Sequence, residues 1–124
     1  FPTANIKTDN ELLPCRGVYA AYVVIGKKRP THADPDPCSA WVPRREYPAV
    51  VNIGTAPTFK RGKTVIEAHI LGFKGSIYGR IVRIEFIKML RPEERFKNRE
   101  ELCRRIEKDI EAAGTILLKR RINP

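Results

Sequence analysis

The chain has 124 residues, which is the usual length of one domain. Its formal net charge is +10 and 42% of its residues are apolar, a proportion that excludes a chain disordered throughout. The positive charge lies in short clusters that fit nucleic acid, an anionic membrane or a phosphorylated small molecule, so charge alone leaves the partner open.

Four segments have the composition of β-strands. Residues 17–26 are β-branched and aromatic and are bounded by glycines, and residues 47–54 form a second, shorter strand. Residues 64–73 and 80–90 alternate between apolar and polar side chains, as half-buried strands do. Between the first two strands, residues 27–46 carry four prolines and are predicted to form a long exposed loop.

The alternation in residues 64–73 assigns side chains to the two faces of that strand. Ile66, Ala68 and Ile70 share one face, because successive side chains of a strand point to opposite sides. Glu67 and His69 share the other face, which therefore carries an ionisable pair.

One helix is predicted, over residues 99–113. Asn98 is a suitable N-cap, with Glu101 three residues later. Gly114 is expected to end the helix. The apolar stripe of the helix consists of Leu102, Ile106, Ile110 and Ala113. Several strands followed by one helix, without a βαβ alternation, predict a single domain with an antiparallel barrel or sandwich and a helix packed on it.

Cysteine usage and hydropathy describe the compartment. Cys15, Cys38 and Cys103 are widely spaced and contain no C-x-x-C pair, which excludes a disulfide framework and a cysteine zinc site. No apolar segment reaches the length of a membrane span, and no secretory leader precedes the first polar residues. We therefore expect a soluble, cytoplasmic protein.

Common catalytic templates are absent from the sequence, including the Walker phosphate loop, the G-x-G-x-x-G fingerprint, the nucleophile elbow and the H-E-x-x-H helix. His32, Asp34, Asp36 and Cys38 alternate along the proline-rich loop, but their spacing matches no zinc or calcium site. A solvated polar loop is the preferred interpretation of these four residues.

Two features carry candidate chemistry. The segment Pro2-Thr3-Ala4-Asn5 presents a hydroxyl and a carboxamide on one side of an extended chain, and such oxygens suit Mg²⁺ shared with phosphates. A frayed terminus without a role is the alternative for that segment. Glu67 is a carboxylate in the middle of an apolar strand, and is either a salt-bridged surface group or a positioned base.

Several motifs together resemble the riboflavin kinase family. The matching segments appear in the family's order and at similar spacing: Pro2-Thr3-Ala4-Asn5, Gly17-Val18-Tyr19, Val51-Asn52-Ile53-Gly54-Thr55, Glu67-Ala68-His69-Ile70, Tyr78-Gly79 and Leu90-Arg91-Pro92-Glu93 with Phe96. The resemblance spans residues 1–124 as a single riboflavin kinase domain. It implies a six-stranded antiparallel Greek-key β-barrel, an all-β-dominated fold, with a C-terminal α-helix.

The resemblance also implies a reaction, in which the γ-phosphoryl group of ATP is transferred to the ribityl 5′-hydroxyl of riboflavin to give FMN and ADP. By the same resemblance Glu67 is the catalytic base, and Thr3 and Asn5 bind the metal and the nucleotide phosphates. The implied metal is Mg²⁺, with Zn²⁺ or Mn²⁺ as alternatives. Ile70 and Gly72 are expected to offer backbone groups to the nucleotide.

The implied flavin-binding residues are Arg91, Glu94 and Phe96. The expected partners are the small molecules riboflavin and ATP, without nucleic acid or membrane, and the chain is expected to be a monomer. Family members carry a glycine-rich, basic stretch before P-T-A-N that helps to cover the nucleotide, so an N-terminal segment is expected before Phe1. Nothing in this chain resembles the adenylyltransferase module that many bacterial relatives carry, so only the kinase step is expected.

Two departures and one rival interpretation accompany the resemblance. Ala56 stands where many bacterial relatives have arginine, and the loop of residues 27–46 is longer than usual. The rival is a basic β-barrel that binds nucleic acid. That interpretation explains the net charge of +10, but such barrels stack bases on clustered aromatic side chains, and here the aromatic residues are scattered.

Overall fold

The computed structural model describes residues 3–8, 13–28, 41–55, 64–77 and 79–122. These residues form five strands and one helix. The elements in chain order are β1 (Ala4–Ile6), β2 (Gly17–Lys28), β3 (Trp41–Thr55), β4 (Thr64–Ile70), β5 (Val82–Arg91) and α1 (Arg99–Ile122).

The five strands form one antiparallel sheet with the order β1-β4-β3-β2-β5. The four strands β5-β2-β3-β4 have the spatial order of a Greek key, because β5 returns to lie beside β2. No pairing joins β1 to β5 within the described residues, so their sheet is unclosed and the six-stranded barrel is not confirmed. The predicted sheet-dominated fold with a C-terminal helix is confirmed.

The sheet buries apolar side chains on both faces. The inner face is the one that carries Tyr19, Ala21, Val23, Val51, Ile53, Ile66 and Ala68. On this face Tyr19 packs edge to face on Phe86, with ring centroids 5.2 Å apart. The Tyr19 hydroxyl donates a hydrogen bond to the Cys15 carbonyl, and burial raises the pKa of Tyr19 above its ordinary value.

The second face, called here the helix face, carries Val18, Ala20, Tyr22 and Val50 and is covered by α1. Ala113 and Leu117 of α1 are buried against it, and the Tyr22 hydroxyl donates a 2.8 Å hydrogen bond to the Leu117 carbonyl. The central strand β2 is thus covered on both sides, which explains its nearly continuous apolar sequence.

The sheet curls so that its two edge strands approach one cavity. Ile6 of β1 and Val82, Ile84 and Phe86 of β5 line a cavity of about 330 Å³ on the inner face. The predicted alternation of β5 is confirmed as far as Phe86, since these three β5 side chains pack against the inner cluster while Arg83 is exposed. Beyond Phe86 the register shifts, and Lys88 pairs with Ala20 of β2. None of the helices among the described residues has the length and hydropathy needed to cross a membrane.

The predicted loop of residues 27–46 is wrong at both ends. β2 continues to Lys28 and β3 begins at Trp41, and the two strands pair as far as Lys28 opposite Trp41. Pro43 is accommodated because the register shifts beside Gly26, and because this part of β3 pairs with β2 alone. Edge positions and bulges are where a strand tolerates proline.

The predicted end of the helix is also wrong, because α1 continues through Gly114 to Ile122. Glycine in a helix interior costs about 1 kcal/mol relative to alanine. Burial of Leu117 and its carbonyl contact with Tyr22 offset that cost. The predicted start of the helix is confirmed, since the Glu101 amide donates a 2.9 Å hydrogen bond to the Asn98 side-chain oxygen.

Candidate active site

A row of polar residues crosses the helix face from one edge strand to the third strand. In the pairing register Asn5 of β1 lies directly opposite Glu67 of β4, and Glu67 lies directly opposite Asn52 of β3. The same row continues through Val18 of β2 to Arg91 of β5. Residues directly opposite each other project from the same face, with Cβ atoms about 4.5–5.5 Å apart. Positions 5, 52 and 67 are far apart in the chain, and strand pairing brings them together.

Glu67 stands in the middle of this row and is half-buried. The predicted face assignment of β4 is confirmed, because Ile66 and Ala68 are buried on the inner face. Glu67 takes part in no ion pair with the residues that the structure describes. Its neighbours in the row are the neutral amides of Asn5 and Asn52.

The oxygen donors of the N-terminal segment lie on one side of Glu67. Asn5 is its neighbour in β1, and Thr3, an exposed residue, precedes the strand by one position. A hydroxyl, a carboxamide and a carboxylate are hard oxygen donors that suit Mg²⁺, which retains waters and substrate phosphates as its other ligands. No group of three His, Cys, Asp or Glu side chains suited to a metal occurs among the described residues. The donor set fits Mg²⁺ or Mn²⁺ better than Zn²⁺.

The residues expected to contact the nucleotide through their backbone lie at the end of β4. Ile70 is the last residue of β4, and its side chain packs against the inner face. The pairing of β4 with β1 reaches only Ala68, so Ile70 extends beyond β1. Gly72 follows in a turn with φ near +72°, a conformation that favours glycine. The Leu71 amide donates a 2.8 Å hydrogen bond to the Pro48 carbonyl, which anchors this turn to the sheet.

The three residues expected to contact the flavin line one cleft at the other end of the row. The cleft has a volume of about 390 Å³ and lies between the sheet, the segment after β5 and the start of α1. Its lining consists of Val18, Asn52, Arg91, Glu93, Glu94, Phe96, Asn98, Arg99 and Leu102. The structure therefore brings together Arg91, Glu94 and Phe96, and adds Asn52 of the polar row to their surroundings.

Arg91 has a structural role that its sequence position did not reveal. Its guanidinium donates three hydrogen bonds of 2.9–3.1 Å to the carboxylate of Asp109 in α1, and both side chains are more than 90% buried. The same guanidinium lies 5.4 Å from the centroid of the Phe96 ring. Arg91 thereby joins β5 to α1 and supports Phe96 in the wall of the cleft.

Glu94 is exposed, and its carboxylate lies 3.6 Å from a guanidinium nitrogen of Arg105. Glu93, the residue before it, turns toward the sheet. A Cβ atom added to Gly54 would lie 2.6 Å from a Glu93 carboxylate oxygen and 3.6 Å from the Asn52 side-chain oxygen. Glycine at position 54 therefore leaves room for the Glu93 side chain beside Asn52.

Sequence reasoning assigned no role to Asn52, although it lies in a matching segment, and did not identify Asp109. The side-chain oxygen of Asn52 is buried and has no hydrogen-bond partner among the described residues. A signal was present in the sequence, because Asn52 is the only polar residue between Ala49 and Gly54 in an otherwise apolar strand. Asp109 offered a similar signal, since it lies four residues before Ala113 on the buried side of α1.

The described aromatic side chains do not form a platform for stacked bases. Tyr19 and Tyr22 are buried on opposite faces of the sheet, and Tyr47 and Phe73 pack on each other at 5.2 Å against the inner cluster. Single-stranded nucleic acid requires exposed rings in succession along a groove. Within the described part of the chain, this arrangement disfavours the nucleic-acid-binding alternative.

Comparison with protein families identifies a match over most of the chain. The riboflavin kinase family model, Flavokinase, matches residues 1–117. This range contains the polar row, the cleft and most of α1.

Curated relatives of this chain are bifunctional riboflavin kinase/FMN adenylyltransferases. The protein from Haemophilus influenzae is 32% identical over 113 residues, which are 91% of this chain and 32% of that protein. The protein from Escherichia coli K12 is 33% identical over 110 residues, covering 88% of this chain and 30% of the relative. The protein from Bacillus subtilis is 33% identical over 117 residues, with coverage of 91% and 32%. The chain thus spans about a third of the length of these relatives.

A solved structure supports the fold. The crystal structure of a protein described as a macrolide-efflux protein from Streptococcus pneumoniae superposes with a TM-score of 0.70 at 25% identity. The match covers 90% of this chain and 32% of the other.

Proposed function

The chain belongs to the riboflavin kinase family, and on that premise we propose that it transfers the γ-phosphoryl group of ATP to the ribityl 5′-hydroxyl of riboflavin, giving FMN and ADP. The observation that carries this proposal is the pairing register, in which Glu67 lies between Asn5 and Asn52. One side of the proposed base has donors suited to phosphates and a metal. On the other side, Asn52 leads to the cleft proposed to bind riboflavin, the phosphoryl acceptor.

In the proposed reaction Glu67 accepts the proton of the 5′-hydroxyl as the hydroxyl oxygen bonds to the γ-phosphorus. The bond between the γ-phosphorus and the bridging oxygen of ATP breaks, and ADP leaves with the electron pair. A carboxylate within hydrogen-bond reach of an alcohol contributes about 10²- to 10⁴-fold to the rate. The half-buried position of Glu67 and its lack of a described ion-pair partner support this role.

Thr3 and Asn5 would hold the divalent metal and orient the phosphates of the nucleotide. When bound, the metal would neutralise charge on the phosphate oxygens, which is the main electrostatic requirement of phosphoryl transfer. Ile70 and Gly72 would supply backbone groups to the same nucleotide. Their place beyond the end of β1, three and five residues after Glu67 in the chain, supports this assignment.

Riboflavin would occupy the cleft, with its ribityl chain directed along the polar row toward Glu67. The cleft volume of about 390 Å³ is within the usual range for small-molecule sites. Phe96 would provide an apolar wall for the flavin. Glu94 would make a polar contact with it at the rim of the cleft. Arg91 would act on the flavin through Phe96, because its guanidinium is already bound to Asp109.

We further infer that the sheet closes into the six-stranded barrel, that the protein is a monomer, and that it is cytoplasmic. Closure is supported by the cavity that both edge strands line. The monomer is supported by the chain's own helix, which covers one face of its sheet. A reducing compartment is supported by Cys15 and Cys103, neither of which forms a disulfide.

The proposal is tested by incubating the protein with riboflavin, ATP and Mg²⁺ and separating FMN from riboflavin by chromatography. We expect FMN from the wild type, and a kcat lowered about 10²- to 10⁴-fold in Glu67→Gln. Glu85→Gln is the matched control, because Glu85 is also a strand carboxylate but pairs with Arg83 at 3.3 Å, outside the cleft. A Glu67→Gln variant with the wild-type rate would exclude Glu67 as the base, and absence of FMN from the wild type would refute the reaction.

A further inference from the structure

The side-chain oxygen of Asn52 is a buried hydrogen-bond acceptor without a partner in the part of the chain that the structure describes. Leaving such an acceptor unpaired destabilises the folded chain, so its presence requires an explanation. Asn52 is also the point where the polar row meets the cleft, because it pairs with Glu67 in the sheet and lines the cleft with Arg91 and Phe96.

Resting on the proposed function, we propose that Asn52 is a positioning residue whose side-chain oxygen accepts a hydrogen bond from a secondary hydroxyl of the ribityl chain. Adjacent strands are about 4.8 Å apart, a distance spanned by roughly two carbon atoms of an extended chain with their hydroxyls. A 5′-hydroxyl at Glu67 therefore places the 4′- or 3′-hydroxyl beside Asn52. This contact sets the position of the 5′-hydroxyl relative to the base.

The carboxylate of Glu93 is a second acceptor near the buried oxygen of Asn52. This carboxylate and the Asn52 oxygen both lie against Gly54, at 2.6 Å and 3.6 Å from the position of an added Cβ. Two acceptor oxygens do not bond to each other, so the Glu93 carboxylate leaves the Asn52 oxygen unsatisfied. Glu93 is an exposed residue in the segment after β5, and admission of a hydroxyl to Asn52 would require its side chain to turn aside.

The first experiment compares riboflavin with its 4′-deoxy and 3′-deoxy analogues, both of which keep the 5′-hydroxyl. We expect the wild type to phosphorylate one analogue with a kcat/KM about tenfold lower than that for riboflavin, the effect of one lost hydrogen bond. Equal kcat/KM values for all three flavins would overturn the assignment of Asn52, whether or not any variant folds. A wild type that forms no FMN at all refutes the reaction itself, so the two failures are distinguishable.

The second experiment repeats the comparison in Asn52→Ala and Asn52→Asp. Asn52→Ala removes the acceptor, so its kcat/KM for riboflavin should fall about tenfold to the value for the deoxy analogue, while the KM for ATP stays the same. Asn52→Asp keeps an oxygen at the same position and should retain the preference for riboflavin. Asn52→Ala that still prefers riboflavin to the same degree would contradict the proposal.

Thermal unfolding separates positioning from structural support. Because the Asn52 oxygen has no partner within the described residues, its removal in Asn52→Ala should leave the Tm unchanged or raise it. If Asn52 only supported the fold, Asn52→Ala would lower the Tm together with the activity. A lower Tm accompanied by unchanged discrimination between the flavins would overturn the proposal.

Discussion

Replacing Asp109 by leucine tests the connection between the helix and the sheet. The carboxylate of Asp109 accepts three hydrogen bonds of 2.9–3.1 Å from Arg91, and the side chains are 6% and 8% exposed. Asp109→Leu leaves the guanidinium buried without its counter-ion. The loss of one partner from a buried pair costs about 3–5 kcal/mol, because the remaining charge stays removed from water.

This cost is large relative to the whole stability of such a domain, which is about 5–15 kcal/mol. The unfolding entropy of a chain of 124 residues is about 0.26 kcal/mol/K, so the expected decrease in Tm is about 10–20 °C. Thermal unfolding followed by far-ultraviolet circular dichroism measures it directly. The double variant Arg91→Met/Asp109→Leu should recover much of the loss, because it leaves no unpaired charge.

The matched control is Glu85→Gln, which breaks the exposed pair between Arg83 and Glu85. The side chains of that pair are 56% and 42% exposed, and solvent screening limits its contribution to less than about 1 kcal/mol. If Asp109→Leu lowers the Tm no more than Glu85→Gln does, the buried pair does not hold α1 on the sheet. A double variant less stable than Asp109→Leu would likewise refute the desolvation reasoning.

Three further substitutions test other parts of the structure. Thr3→Ala should weaken the binding of ATP measured by titration calorimetry in the presence of Mg²⁺, and an unchanged affinity would remove Thr3 from the proposed metal site. Gly114→Ala should stabilise the chain by about 1 kcal/mol in urea unfolding, because an added Cβ meets no atom within 4 Å in the helix. Gly72→Ala also adds a Cβ in open space, but should destabilise the chain by about 1–2 kcal/mol because φ is near +72°. If both glycine variants changed the free energy of unfolding in the same direction, backbone conformation would not decide their effects.

Local pattern predicted the elements and part of the site. The alternation of Ile66, Glu67 and Ala68 assigned Glu67 to the face opposite the inner core, and the structure bears this out. The N-cap at Asn98 was equally local, since it depends on residues three positions apart. The motifs of the riboflavin kinase family identified the family itself, which the match over residues 1–117 confirms.

Long-range contacts overruled local signals at two places. Gly114 predicts the end of the helix, but burial of Leu117 against the sheet extends α1 to Ile122. Pro43 predicts a loop, but a shift of register beside Gly26 allows β3 to include it. In both cases a contact with a distant segment outweighs a local cost of about 1 kcal/mol or one missing hydrogen bond.

The sequence by itself determined the periodic strands, the start of the helix and the family, because each depends on neighbouring residues or on ordered motifs. Only the tertiary structure decided that Asn5, Glu67 and Asn52 form one row, that this row reaches the cleft, and that Arg91 is bound to Asp109. Strand register and helix docking join segments that are tens of residues apart. Their geometry is set by backbone pairing and burial across the whole sheet, and no local window of sequence contains those interactions.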